Sequence, residues 1–240
     1  MKNIIFFCNK SIGLKCLKYT VEKKNLLNLN IKGVLTKKSE TKIINFCKKN
    51  KIKIYQNIEE LLKLKDLDIG ISVQYHTLIK KKIISKFKEI IVNLHMAPLP
   101  EYRGCNQFSF AIINKEKYFG TTIHKIDKNI DSGPILFEKR FKIFSKIWVK
   151  DLYRLTNIHS FELYKNSIKK IIDKNYLLKM QEKSKKRKYY FYFRSDINKL
   201  KQINLNWKLE KIQKYIRATS MSGFEPPFFQ LNDKKIKLKI

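Results

Sequence analysis

Only six of the 53 basic residues in this 240-residue chain are arginine (Arg103, Arg140, Arg154, Arg187, Arg194 and Arg217), and only 20 acidic residues oppose them, for a net charge of +33. Nucleic-acid surfaces lean on arginine forks for phosphate and base contacts, so the scarcity of arginine argues against a dedicated nucleic-acid site. The lysine excess, with asparagine and isoleucine also abundant, reads as the surface bias of an AT-rich genome, although a field of this sign still draws in small anions. No apolar run approaches the roughly 18 residues of a spanning helix, which excludes membrane insertion by that route. The apolar start at residues 4–8 is cut short by Asn9-Lys10, below the roughly seven residues of a signal-peptide core, so a first buried strand is expected there. The four cysteines, Cys8, Cys16, Cys47 and Cys105, show neither Cys-x-x-Cys pairing nor metal spacing, and are expected to be reduced thiols of a cytoplasmic protein. No internal repeat and no low-complexity tract is present.

What is there is ample material for a core: 43% hydrophobic residues, 12% of the chain aromatic. Strand-like runs at residues 3–7, 31–35, 53–55, 68–73 and 89–94 alternate with helical spacing at 12–25 and 41–49, and Asn57 can cap a further helix through residue 64. This alternation predicts an α/β fold with a doubly wound, mostly parallel sheet. Later strands are expected at 120–126 and 135–143, followed by a long helix over 149–173. The polar run 182–188 reads as a connector. Residues 189–194 are aromatic-rich, 209–218 helical, and 228–240 alternate as a hairpin around Asn232-Asp233. The expected organisation is a catalytic domain over 1–184 and a small C-terminal subdomain over 185–240 that ends in a β-hairpin.

The most informative stretch is Asn93-Leu94-His95-Met96-Ala97-Pro98-Leu99-Pro100-Glu101-Tyr102-Arg103-Gly104. Asn93 and His95 close an apolar strand two residues apart, so their side chains point the same way on an extended backbone. The prolines and Arg103-Gly104 then force a loop, which sets the polar pair at a strand end, where open α/β sheets bind ligands. An amide, an imidazole and the later carboxylate of Asp131 are the parts needed to hold an attacking group and stabilise an oxyanion. The plain structural alternative is a strand end with a capping Asn and a half-buried His. No His-x-x-x-His spacing among His76, His124 and His159 suggests a metal.

The combination of Asn93-x-His95, Leu99-Pro100-x-x-Arg103-Gly104 and Asp131-Ser132-Gly133-Pro134 resembles the folate-dependent formyltransferases, with a core similar to theirs from Asn93 to Phe137. Weaker likeness extends from Phe6-Phe7-Cys8-Asn9-Lys10-Ser11 to Gly223-Phe224-Glu225-Pro226-Pro227. Within that family, Met96-Ala97-Pro98-Leu99-Pro100 and Cys105-Asn106-Gln107-Phe108-Ser109-Phe110 are similar to the nucleotide-sugar N-formyltransferases, while Ala97 stands where many tRNA and purine enzymes carry Ser.

The resemblance implies Asn93, His95 and Asp131 as catalytic residues and 10-formyltetrahydrofolate as donor, with no metal. Its pterin would be held by the loops of Gln74 and Tyr75 and of Asp127, Lys128, Asn129 and Ile130. The acceptor implied is a nucleotide-linked amino sugar, dTDP-4-amino-4,6-dideoxyglucose being the favoured one, in O-antigen or other surface-polysaccharide biosynthesis. Asn9, Lys10, Ser11, Tyr102, Arg103, Gly104 and Gln107 are the implied substrate-binding residues. Several roles stay open. Asp131 could orient His95 or relay a proton through water. Arg103 could meet a phosphate or buttress its loop through Glu101. Asn9-Lys10-Ser11 could cradle phosphate or be an ordinary turn with Ser11 as N-cap. Phe224, Phe228 and Phe229 could stack on a base or be core. A homodimer is open, no specific nucleic-acid partner is expected, and methionyl-tRNA formylation or a non-catalytic nucleotide-binding role are the rival functions.

Overall fold

The computed structural model describes residues 1–181, 189–232 and 234–238. The chain runs β1 (Lys2–Cys8), α1 (Lys10–Lys23), β2 (Leu29–Leu35), α2 (Thr41–Lys49) and β3 (Ile54–Tyr55), then β4 (Leu67–Val73), α3 (Lys81–Ile84) and β5 (Phe87–His95). There follow β6 (Tyr102–Gly104), α4 (Gln107–Ile113), β7 (Tyr118–Lys125), β8 (Ile135–Lys142) and α5 (Val149–Ile172). The C-terminal part adds β9 (Tyr190–Tyr192), α6 (Ile197–Lys201), α7 (Leu209–Thr219), β10 (Phe228–Leu231) and β11 (Lys234–Lys237).

Seven strands form one sheet in the order β3-β2-β1-β4-β5-β7-β8. The pairs from β3 to β5 are parallel, and β7 and β8 close the sheet antiparallel. The strand order reverses between β1 and β4, which opens a crevice at their carboxyl ends. The parallel strands are apolar on both faces because both are covered. On β1, Ile4, Phe6 and Cys8 face one cluster with α1, α2 and α5, while Ile5 and Phe7 face a second with Leu61, Ile79 and Ile83. Cys8, Cys16 and Cys47 lie in the first cluster, where burial pushes their thiols up, Cys47 to about 11, so none offers a thiolate at neutral pH.

A third cluster joins Ala97, Tyr102, Phe119 and Leu152 to Ala218 of α7, with Tyr190 and Tyr192 of β9 packed against it. β9 pairs in parallel with β6, so the C-terminal part meets the loop that follows the Asn93–His95 strand end. No helix among the described residues is long and apolar enough to cross a membrane.

Three local expectations change. α1 starts at Lys10, two residues before the expected helix, so Ser11 lies inside the first turn and the N-cap position falls to Asn9. Asn57 does cap, with a capping box to Glu60, but the segment is a 3₁₀ helix ending at Lys63, too short to settle into α geometry. The stretch expected to be irregular through Arg103-Gly104 holds the short strand β6, because β9 of the aromatic run after residue 188 pairs with it. The connector at 182–188, the boundary at 184/185 and Asp233 of the hairpin turn lie outside the described residues; β10 and β11 pair antiparallel around that turn.

Candidate active site

β5 and β7 pair antiparallel with Asn93 opposite His124 and His95 opposite Thr122. Opposed residues of such a ladder share a face, so the four side chains stand together at the strand ends. His95 is 6% exposed. Its Nε2 lies 2.7 Å from the Tyr102 carbonyl, which can only accept, so Nε2 carries the hydrogen. Nδ1 is then the ring nitrogen free to take a proton, and it faces Asp131 Oδ2 at 3.6 Å. His124 is arranged in the opposite sense. Its Nδ1–H donates to the Lys125 carbonyl at 2.9 Å, and Nε2 lies 3.4 Å from Asp131 Oδ1 and 3.1 Å from Asn93 Nδ2. Asn93 therefore donates one amide hydrogen to His124 and keeps a second for a ligand. Two imidazoles each present their proton-accepting nitrogen to one carboxylate, so a proton taken up on either lies against Asp131.

Asp131 enters from the loop between β7 and β8 at φ +50°. Its Oδ2 accepts the Gly104 N–H at 3.0 Å. Burial pushes the Asp131 pKa up, but the charge and N–H that His95 and His124 present to it once protonated, with the Gly104 N–H, outweigh it and hold the carboxyl well below the usual carboxylate range. The following Gly133 is demanded by space: a Cβ there would stand 1.9 Å from the Lys125 carbonyl oxygen. Gly104 is at φ +84°, with the Tyr192 carbonyl 2.3 Å from where a Cβ would be, which ties its identity to the β6–β9 pairing. Asp127 folds its own loop by accepting the Asn129 N–H at 3.0 Å and the Ser132 hydroxyl at 2.6 Å.

Asn9 is 2% exposed. Its amide donates to the Gln74 carbonyl and approaches His76 Nδ1, and its oxygen accepts from Thr36 Oγ1 and the Lys37 N–H. The side chain expected to bind substrate thus ties together the ends of β1, β2 and β4, and Lys10 and Ser11 are the exposed members of that trio. Lys10 and Gln74 both hold left-handed backbones, at φ +60° and +55°. Tyr75 packs edge-on against Phe7, with ring centroids 5.4 Å apart. Lys128, Asn129 and Ile130 are exposed. Tyr102 is buried at 2%, its hydroxyl donating to Glu116 and accepting from Asn114, so it offers the site only its carbonyl. Gln107 is buried at the start of α4. Of the two roles left open for Arg103, the buttress through Glu101 is not made: Glu101 pairs with Arg140 at 2.7 Å, while Arg103 reaches Gln181 and Tyr189. Phe224 is exposed, and Phe228 and Phe229 are half-buried on β10.

His124 and Gln181 belong to this site and were not among the expected residues. For His124 the signal was alternation: Thr122 and His124 share a strand face, as Asn93 and His95 do. A cleft of about 300 Å³ opens beside the crevice between Thr36, Lys37, Gln56, Asn57, Tyr75 and His76; Asn93, His95 and Asp131 do not line it. Among the described residues, no group of three His, Cys, Asp or Glu side chains is arranged to hold a metal ion.

The protein is 30% identical over 186 residues to a methionyl-tRNA formyltransferase of Finegoldia magna, across 76% of this chain and 58% of that relative. The chain thus spans about three fifths of the length of that curated relative. A sugar N-formyltransferase from a Shewanella species superposes with a TM-score of 0.83 over 100% of this chain and 97% of the other, and at 18% identity this is a likeness of fold. An N-formyltransferase of Helicobacter canadensis, solved with folinic acid and dTDP-3-aminofucose, superposes with a TM-score of 0.79 at 25% identity, covering 98% of this chain and 86% of the other. A family model described as formyl transferase matches residues 18–167. That match takes in more than half of the chain, including the strand end that carries Asn93 and His95 and the loop that carries Asp131: the protein belongs to the formyl transferase family.

Proposed function

We propose that the protein transfers a formyl group from 10-formyltetrahydrofolate to the amine of a nucleotide-linked amino sugar, dTDP-4-amino-4,6-dideoxyglucose, for O-antigen or another surface polysaccharide. The observation that carries this reading is the convergence of Asn93, His95, His124 and Asp131 in a fold shared with an enzyme solved with folinic acid and dTDP-3-aminofucose. The residues around the crevice suit a flat, hydrogen-bonding ring. Half-buried Tyr75 and Ile126 border the second core cluster as an apolar wall, and the exposed 128–130 backbone supplies peptide groups beside Asp131.

The bound donor supplies an electrophilic formyl carbon on a nitrogen leaving group. The chain supplies the rest. Asn93, its amide oriented by His124, directs its second N–H at the oxyanion that develops, a contribution of about 3 kcal/mol by comparison with other oxyanion donors. His95 Nδ1 takes the proton of the attacking amine, and Asp131, ionised, stabilises the imidazolium so formed. That imidazolium returns the proton to the donor nitrogen as its bond to the formyl carbon breaks, leaving tetrahydrofolate and the formamide. Lys10, with the N–H groups around Ser11, holds the pyrophosphate at the start of α1.

Incubating the protein with 10-formyltetrahydrofolate and a panel of amino-sugar nucleotides, including 3-amino and 4-amino dTDP sugars, tests this by mass spectrometry. A formyl adduct on a 4-amino sugar is the expected result. The identity to the Finegoldia enzyme favours a second reading, methionyl-tRNA formylation. Faster incorporation into charged initiator tRNA in the same assay establishes that reading instead.

A further inference from the structure

We propose that Gln181 is a positioning residue for Asp131, held in that role by Arg103 and Tyr189. The inference rests on Asp131 belonging to the catalytic cluster described above. Asp131 stands at φ +50°, a left-handed conformation that Asp tolerates in turns, so the loop itself must be held in place for its carboxylate to reach the two imidazoles. Gln181 holds it. Its Nε2 donates to two carbonyls of the loop, Asp131 O at 3.0 Å and Gly133 O at 2.6 Å. Its Oε1 accepts from Arg103 Nε at 3.0 Å and Arg103 Nη2 at 2.8 Å.

The orientation of this amide is forced by chemistry. A guanidinium only donates and a carbonyl only accepts, so a flipped amide would oppose like groups at both ends. Arg103 is itself fixed, because Nη1 donates to the Tyr189 hydroxyl and the guanidinium lies 4.6 Å over the Tyr189 ring. Two consecutive residues of β6 therefore grip Asp131 by different routes. Gly104 holds its carboxylate directly, and Arg103 holds its backbone through Gln181. Gln181 acts through Asp131 and needs no contact with the reacting atoms.

The experiment compares the full chain with Gln181→Met, which keeps the length of the side chain but removes the amide. Carboxyl carbon NMR follows the titration of Asp131, its resonance identified by its loss in Asp131→Asn, and requires no substrate. In Gln181→Met the Asp131 carboxyl is expected to titrate at higher pH, because a slackened loop lets it leave the two imidazoles and the Gly104 N–H. In parallel, kcat should fall at least about tenfold, a misplacement near 1 Å costing up to ~100-fold, with both KM values within about twofold of wild type. Gln181→Glu keeps the partner of Arg103 and loses the donor to the carbonyls, and it should lose kcat likewise. An unshifted Asp131 titration in folded Gln181→Met, or wild-type kcat in Gln181→Glu, overturns the proposal. If the wild-type protein formylates no amino sugar, the functional reading fails while the titration still decides the role of Gln181.

Discussion

His95 meets Asp131 through one ring nitrogen because the other is spent on the Tyr102 carbonyl. His95→Ala should lower turnover by about 100-fold or more while the protein still folds. Turnover equal to wild type would make His95 a structural residue of the strand end. Asp131 carries a separate, pH-dependent consequence. Its folded-state pKa is depressed, so its contribution to stability is fully present above the ordinary carboxylate value of about 4 and is lost as the pH falls from there through the lowered pKa. Asp131→Asn should therefore reduce stability at neutral pH and flatten the acid limb of the stability curve, checked by urea unfolding between about pH 2 and 7. Equal acid limbs for the two proteins would show that the carboxylate is not the group being titrated.

β6 and β9 are three residues each, and a small polar network at the end of α4 adds to the apolar packing that joins them to the body. Asn114 donates through Nδ2 to both the Tyr102 hydroxyl at 3.0 Å and the Tyr192 hydroxyl at 3.1 Å. Asn114→Ala should cost about 1–3 kcal/mol in denaturant unfolding, since it removes two hydrogen bonds from a part-buried junction. A loss below about 0.5 kcal/mol would mean that water replaces the amide. These elements also mark where sequence reasoning stops. β1, β4 and β5 have near-continuous apolar runs at their centres and are plain to read, because strands covered on both faces need no alternation. α4 is a single stretch of seven residues, Gln107–Ile113, too short to declare a helical period. Three-residue strands carry no period at all. At the site, Asn93 and His95 are legible as an alternating pair at a strand end. His124 needs the antiparallel register of β7, and Gln181 needs partners 78 and 50 residues away in the chain.

The net charge of +33 acts on the molecule as a whole. Binding to any polyanion is expected, and it should weaken by orders of magnitude between about 50 and 200 mM salt if many phosphates are contacted. An acceptor with a single pyrophosphate contacts few charges, so its KM should change by less than about tenfold over that range. A steeper dependence would favour the tRNA. The two sides of the sheet are also roofed unequally. α1, α2 and α5 cover one, while the 3₁₀ segment Ile58–Lys63 and the four-residue α3 cover the other. In hydrogen exchange this difference becomes one of rank: amides of α3 and the 3₁₀ segment should exchange through small openings at a fraction of the global unfolding free energy, and those at the centre of α1 and α5 only when the whole molecule opens. Tyr75 packs on the thinly roofed side, so the crevice flank it belongs to should exchange with the low-ranking segments and ahead of the sheet beneath it.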